Sequence, residues 1–373
     1  MINKQRLVDT FLEVTSIDGI HGNELEIANL LVKKLNALNC VVRTDKAGES
    51  FGGNSGNVIA YLDGTISGDP IFFCSHIDTI KSTKNIKHVI TDGIIETDKT
   101  TILGGDDRAG VAVILEILAV ISENNLEHVP IEILFTVSEE VGMNGAKFIE
   151  KDSLKSEYGF IFDCQASPGN YIIEAPGAAS FKAIFKGKSA HAAVSPEKGI
   201  NAISMAGKAV SDLKLGRWDE TGMINIGMIN GGEAINVVPD KVEVIGETRN
   251  ANENALKNQI DYISTTFKSA AELYNGEVEI KFTQKYGGYN FNGSERMIQI
   301  AAEAIGKSGL TANPIKYPGG SDANALNANG IPSLNLGVGF KNAHSFEEKI
   351  AIKDLVKTAE IGLNIVKISS SLT

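Results

Sequence analysis

Cysteine is scarce in this chain of 373 residues, with only Cys40, Cys74 and Cys164 present. Three thiols cannot all pair, and their spacing fits neither a zinc finger nor a Cys-x-x-Cys motif. The sequence therefore points to a reduced, cytoplasmic compartment. Basic clusters are also missing. The chain has 35 Lys and Arg against 46 Asp and Glu, a formal charge of −11. Nucleic acid and anionic membranes both recruit clustered Lys and Arg, so neither is expected as a partner. Long hydrophobic runs are lacking too. The longest, residues 109–121, is interrupted by Glu116 and is shorter than the roughly 20 residues that span a bilayer. The N-terminal MINKQRLVDTFLEV is amphipathic and has no signal-peptide core or cleavage site. Length alone predicts two domains, because one hydrophobic core stops growing at about 250–300 residues.

Helices are expected over about 4–14 and 24–38, the second opened by Asn23 and Glu26 in a capping-box pattern. The β-like runs CVVRT, NVIAYLD, PIFFCSH and GIIETD follow. A helix over about 108–124 leads to the strand IEILFTV, a short helix near 142–150 and the strand YGFIFD. Several of these strands are apolar at nearly every position, as strands buried on both faces are. The fold class is read as α/β, with helices on either side of a mixed sheet. From about residue 179 the rhythm changes. The strand FKAIFKG precedes a helix that starts at Ser195-Pro196 and runs to about 214. The strands INIGMIN and KVEVIGETR, a helix over about 251–274 and the strand VEIKFTQ complete a β-α-β-β-α-β, ferredoxin-like order. Helices near 294–308, 321–329 and from 352 onward, a strand near 314–317 and the strand SLNLGVG return to the earlier style. The economical division is a discontinuous α/β domain, 1–178 and 288–373, with an inserted domain over 179–287.

Four short motifs fall at the ends of predicted strands: Ser75-His76-Ile77-Asp78, Gly105-Asp106-Asp107-Arg108, Ser138-Glu139-Glu140 and Phe162-Asp163. Ala343-His344-Ser345 follows SLNLGVG. Ligands of open α/β sheets bind outside the carboxyl ends of strands, so these segments can converge on one crevice. They would bring His76 and His344 together with Asp78, Asp106, Glu139, Glu140 and Asp163. Crowded carboxylates repel and take up protons unless cations relieve them. Mixed imidazole and carboxylate ligands suit zinc, with manganese or cobalt as options. Each motif alone has a plainer reading. His76-x-Asp78 could be a surface pair, and Asp106-Asp107 could be favourable charge at a helix N-terminus. Period 2 nevertheless puts His76 and Asp78 on one face, where the aspartate can orient the imidazole. The conjunction of all five motifs favours a metal site. His21, His88 and His128 lie in polar stretches and are expected at the surface.

These motifs resemble those of the co-catalytic di-zinc peptidases, the family of peptidase T, carboxypeptidase G and aminoacylase, with peptidase T the nearest type. The resemblance runs almost end to end. It includes Gly187-Lys188-Ser189-Ala190-His191-Ala192, Asn236-Val237-Val238-Pro239-Asp240 and Arg249 in the inserted segment, and Gly319-Gly320-Ser321-Asp322. It implies a zinc held by His76, Asp106 and Asp163 and a second held by Asp106, Glu140 and His344. Glu139 would be the general base and Asp78 the orienter of His76. His191 would stabilise the oxyanion, while Arg249, Asn236 and Gly320 would contact the substrate. The inserted segment would be a lid through which a homodimer could form.

Two positions depart from the family pattern. Arg108 stands where lysine is common, and Cys164 follows Asp163 where glycine is frequent, which leaves open whether the thiol reaches a metal. The glutamyl aminopeptidases share Asp-Asp-Arg-Ala-Gly, but their inserted domain is a β-barrel, which the two helices expected between 195 and 274 disfavour. The implied activity is release of the N-terminal residue from tripeptides. Dipeptide cleavage, N-acyl-amino-acid deacylation and a silent peptide- or metal-binding relative are the alternatives.

Overall fold

The computed structural model describes residues 1–371. The chain forms two compact units. Met1–Ile173, Phe291–Ile315 and the chain from Ser321 make the first; Glu174–Asn290 and Lys316–Gly320 make the second.

The first unit is built on a mixed sheet. Six of its nine strands run in the order Val41–Thr44, Val58–Leu62, Ile131–Thr136, Ile71–His76, Tyr158–Cys164, Ser333–Gly337. The first two pairings are antiparallel and the next three parallel. Every residue of Ile71–His76 and Ile131–Thr136 is buried. That is why these strands, Glu132, Ser75 and the terminal His76 and Thr136 apart, read as apolar runs rather than alternating ones. Neighbouring strands also pack closely at Gly159, where a Cβ would lie 2.3 Å from the Phe72 ring.

The helix Gly105–Asn124 lies against Ile71–His76 and is flanked by the helices Lys4–Ser16 and Ile352–Ser371. It is buried along most of its length, so its one carboxylate amid apolar residues needs partners. Glu116 has them: Arg6 Nε donates at 2.6 Å, Arg6 Nη2 at 3.0 Å and the Asn3 amide at 2.7 Å. Among the described residues, no helix is long and apolar enough to cross a membrane.

The second unit is a five-stranded antiparallel sheet in the order Gly216–Arg217, Met223–Gly231, Lys241–Asn250, Gly177–Lys186, Glu277–Tyr286. Along Lys241–Asn250 every second side chain is buried, the period of a strand with one covered face. The helices Ala202–Asp212 and Glu253–Leu273 cover that face. Phe181, Phe185, Met205, Val244, Ile263 and Phe267 form its centre.

Two helix starts differ from the sequence reading. Leu25–Ala37 has Glu24, not Asn23, at its N-cap, with no side-chain cap. The Glu24 carboxylate instead accepts from the amides of Gly22 and Ser138. Ser195-Pro196 opens only a single turn, Pro196–Lys198, and the helix proper starts at Ala202 under an Asn201 cap. The intervening backbone is drawn into an extended pairing between Lys188 and Ile200, which a helix through 199–200 would forbid.

Candidate functional site

The three parallel pairings align the carboxyl ends of four strands of the first unit, the position where open α/β sheets bind ligands. His76 ends one strand and is 1 % exposed. Its Nδ1 donates to the Asp78 carbonyl at 3.1 Å, while Nε2 faces Asp106 Oδ1 at 3.1 Å and Asp163 Oδ1 at 3.9 Å. An Nδ1–H so engaged leaves Nε2 as the ligating nitrogen of the neutral ring. His344 Nε2 lies 2.9 Å from Glu140 Oε2 and 3.4 Å from Asp106 Oδ2. Asp106 therefore stands between the two imidazoles. Ligand atoms of His76, Asp106 and Glu140 all fall within 4.8 Å of one another.

Asp78 does more than face the imidazole. It is fully buried, and its two oxygens accept the amides of Glu139 at 2.9 Å and Glu140 at 3.1 Å. One carboxylate thus fixes His76 and the Glu139-Glu140 backbone together. Asp163 lies inside the strand Tyr158–Cys164, not beyond it, and Asn335 grips its backbone, accepting from its amide at 3.1 Å and donating to its carbonyl at 2.7 Å. Asp106 and Asp107 lie at a kink near the start of the span Gly105–Asn124, both with non-helical φ/ψ, and away from any strand end, because the strand Ile94–Thr97 stops earlier. The Asp106–Asp107 peptide bond is cis.

Several anchors have no motif of their own. Glu24, buried, accepts from both the amide and the hydroxyl of Ser138, which holds that residue at φ 53° just before Glu139. Glu348, 1 % exposed, accepts from the amides of Leu103, Gly104 and Asp106. Asn335 is the third. A buried polar residue is costly unless paired, so the only sequence signal was polarity inside apolar strands and loops.

Burial and mutual repulsion set the protonation of the group. Burial raises Glu139 well above the usual carboxylate range, with the charges of Asp322, Glu140 and Asp78 adding to it. Burial likewise raises Asp163 and Asp107, and neighbouring carboxylates reinforce both. Burial raises Glu140 as well, against its bond to His344. Asp106 is the opposite case: burial is outweighed by bonds to His344 and His76, which hold it low. Bonds to Asp106 and Glu140 push His344 up to about 10. Burial opposes charge on His76, yet its bonds to Asp106 and Asp78 leave it well above the ordinary imidazole value. Without cations, then, the cluster is held together by protons.

The donors suit divalent cations. They are imidazole and carboxylate, and among the described residues the buried Glu140 Oε1 and Asp107 Oδ2 have no hydrogen-bond partner. The Cys164 Sγ accepts from the Ala166 amide, and burial pushes the thiol up to about 11. Arg108 is fully buried, and its Nη1 donates to the carbonyls of Val14 and Ile17.

The remaining residues singled out by sequence lie in the second unit. His191 is exposed on the short strand Ala190–His191, paired with Val237–Val238, and its Nδ1 accepts from the amides of Ala193 and Val194. The exposed Asn236 accepts from the Ala192 amide through its carbonyl. Arg249 donates to Glu247 at 3.2 Å through Nη2, and its Nε is buried with no partner among the described residues. Gly320 closes the segment Lys316–Gly320 of the same unit.

Of the other histidines, His21 is exposed, but His88 is half-buried with Nε2 2.7 Å from Thr15 Oγ1. His128 is buried, its Nδ1 donating to the Val129 carbonyl. A polar neighbourhood in sequence does not imply exposure when backbone carbonyls can serve the ring.

The chain resembles known proteins over most of its length. The profile of the peptidase family M20/M25/M40 matches residues 72–367. A tripeptidase from Staphylococcus aureus subsp. aureus mu50 is 38% identical, with a TM-score of 0.96 and 100% of both chains covered. The aminopeptidase PepT from Bacillus cereus ATCC 10987 is 37% identical, with a TM-score of 0.93 and 99% of both chains covered. The protein YqjE of Bacillus subtilis (strain 168) is 39% identical over 98% of this chain and 99% of its own. With most of its length matched by the family profile, the chain belongs to the peptidase family M20/M25/M40.

Proposed function

We propose that the protein is a zinc-dependent aminopeptidase that releases the N-terminal residue of tripeptides. The observation that carries this reading is the convergence of His76, Asp106 and Glu140 beside Glu139. The names of its Bacillus cereus and Staphylococcus aureus relatives support the substrate class. His76, Asp106 and Asp163 would hold one ion and Asp106, Glu140 and His344 the other. Zinc is the first choice, with cobalt or manganese as substitutes. Two such ions would polarise the scissile carbonyl and lower the pKa of the attacking water.

The chain's own residues supply the rest. Glu139 takes the proton of the attacking water and returns it to the leaving amine. Asp78 keeps Glu139 and Glu140 in register with His76 through their amides. In the second unit, His191 would stabilise the oxyanion. Arg249 would fork onto the substrate carboxylate, and Asn236 and Gly320 would line the same subsite. Residues 1–178 and 288–373 would then be the catalytic domain and 179–287 the lid.

The test is a kcat/KM comparison of zinc-loaded protein on tripeptides, dipeptides and N-acyl amino acids. Tripeptides with a free amino terminus are expected to lead by about tenfold or more, since a buried polar group left unpaired by the wrong substrate costs at least 1–3 kcal/mol. A lead for N-acyl amino acids or dipeptides would replace this reading, and no turnover with bound ions would mark a binding protein.

Two further points belong to the same proposal. The three buried free thiols suit a reducing cytoplasm, which cell fractionation would check. Among the described residues, the outer edge of Met223–Gly231 is covered only at 223–224, by Gly216–Arg217, and Met228 and Ile229 on it are 55% and 52% exposed. An open apolar edge invites pairing, and a homodimer through this unit would cover it. Sedimentation is expected to give a dimer for the native chain and a monomer for M228D/I229D; a native monomer would remove the dimer.

A further inference from the structure

The segment that carries His344 and the segment that carries Asp106 are far apart in sequence, yet both must meet Glu140. The His344 segment is closed at its base by reciprocal backbone bonds between Lys341 and Lys349, at 2.8 and 3.1 Å. His344 itself sits at φ 66°, in the left-handed region that disfavours side chains other than glycine. Within the same closed loop stands Glu348. Its Oε2 accepts from the Gly104 amide at 2.8 Å and the Leu103 amide at 3.1 Å, and its Oε1 accepts from the Asp106 amide at 2.9 Å. A carboxylate can take all three, because it offers about four acceptor sites and no donor when ionised.

We propose that Glu348 is a positioning residue for the second metal site, tying the His344 loop to the backbone of Asp106 so that both side chains reach Glu140 together. This rests on the two-ion reading above. The geometry gives Glu348 no route to the reacting atoms: its oxygens are occupied by backbone amides, and it is almost completely buried. Its effect is carried by Asp106 and His344, which lie against each other at 3.4 Å. The His76 side is held separately, by the Asp78 carbonyl, and the Glu140 amide by the Asp78 carboxylate. Asp106 would serve both ions but His344 only one, so loss of Glu348 should weaken the His344 site more than the other.

The experiment is a zinc titration of the chelated full-length protein by calorimetry, with H344A marking the step that belongs to the His344 site. Partners that orient metal ligands typically contribute 10–100-fold in affinity. E348Q is expected to weaken the His344 step by about that factor and the other step, which shares Asp106, by clearly less. The amide NH2 of glutamine would confront backbone N–H groups, so it is no substitute here. Should E348Q fail to fold, E348D keeps the charge with a shorter reach, and the same selective loss is expected of it. Wild-type affinities at both steps in either variant, whatever the change in melting temperature, would reduce Glu348 to a structural role and overturn the proposal. Equal weakening of both steps would overturn it as well. A native protein that binds one ion would overturn the two-ion reading instead.

Discussion

Glu139→Gln is expected to keep two ions per chain and to lose about 10²–10⁴-fold in kcat, the usual span for a positioned general base. The substitution is nearly isosteric. The Glu139 amide would still donate to Asp78, so the neighbouring Glu140 should stay in place. What disappears is an acceptor that can carry a proton. Burial and the charges of Asp322, Glu140 and Asp78 raise that carboxyl well above its ordinary value. Bound cations act in the other direction, since they become the largest local charges in the site. The two influences together suit a group that takes a proton from water and gives it to an amine near neutral pH. KM is expected to change little, because the role is confined to the transition state. Metal content by emission spectroscopy, measured with kcat on a tripeptide, checks both halves. Full turnover with two ions present would remove Glu139 from the mechanism.

The site is partly legible in the sequence because strands buried on both faces leave few places for charge. His76, Glu139 and Glu140 stand out where apolar runs stop, and period 2 already puts Asp78 on the face of His76. Asp106 is less legible by that logic, since it lies at a kink before a helix and not at a strand end. The anchors are hidden. Glu24 reads as an ordinary surface glutamate in an amphipathic helix, yet it is completely buried against Ser138, 114 residues away. Asn335 sits in an apolar strand, and its grip on Asp163 depends on a pairing that only the folded sheet creates. Glu348 looks like one more charge in a polar loop. Local pattern reports which residues are unusual for their element, while long-range partners appear only with topology. The same limit explains Asn23 and Ser195, good caps by type whose helices start elsewhere because tertiary pairing claims the neighbouring backbone.

Removal of the ions is expected to abolish hydrolysis and to leave a protein whose melting temperature falls as pH rises above about 5, the reverse of a protein stabilised by paired carboxylates. The sign follows from the direction of each shift. Asp107, Asp163, Glu139 and Glu140 are raised in the folded state, while the unfolded chain releases those protons near pH 4. Between that value and the folded ones, the native state binds more protons than the unfolded state, so stability is full at low pH and is lost as pH rises. His344, raised to about 10, and His76 act with the same sign, from about pH 6.5 upward. Within the cluster Asp106 runs the other way, since its depressed value contributes stability above the unfolded value near 4 and loses it only in acid. Over pH 6 to 9 Asp106 is therefore constant, and the raised groups decide the slope. Divalent cations replace the shared protons, so the loaded protein should show a much flatter profile. The expected drop for the chelated protein is on the order of 5–10 °C between pH 6 and 9. Scanning calorimetry of chelated and zinc-loaded samples measures it. A chelated protein that gains stability with pH would mean that these carboxylates are not crowded when the ions are absent, and the charge argument for the metal site would fail with it.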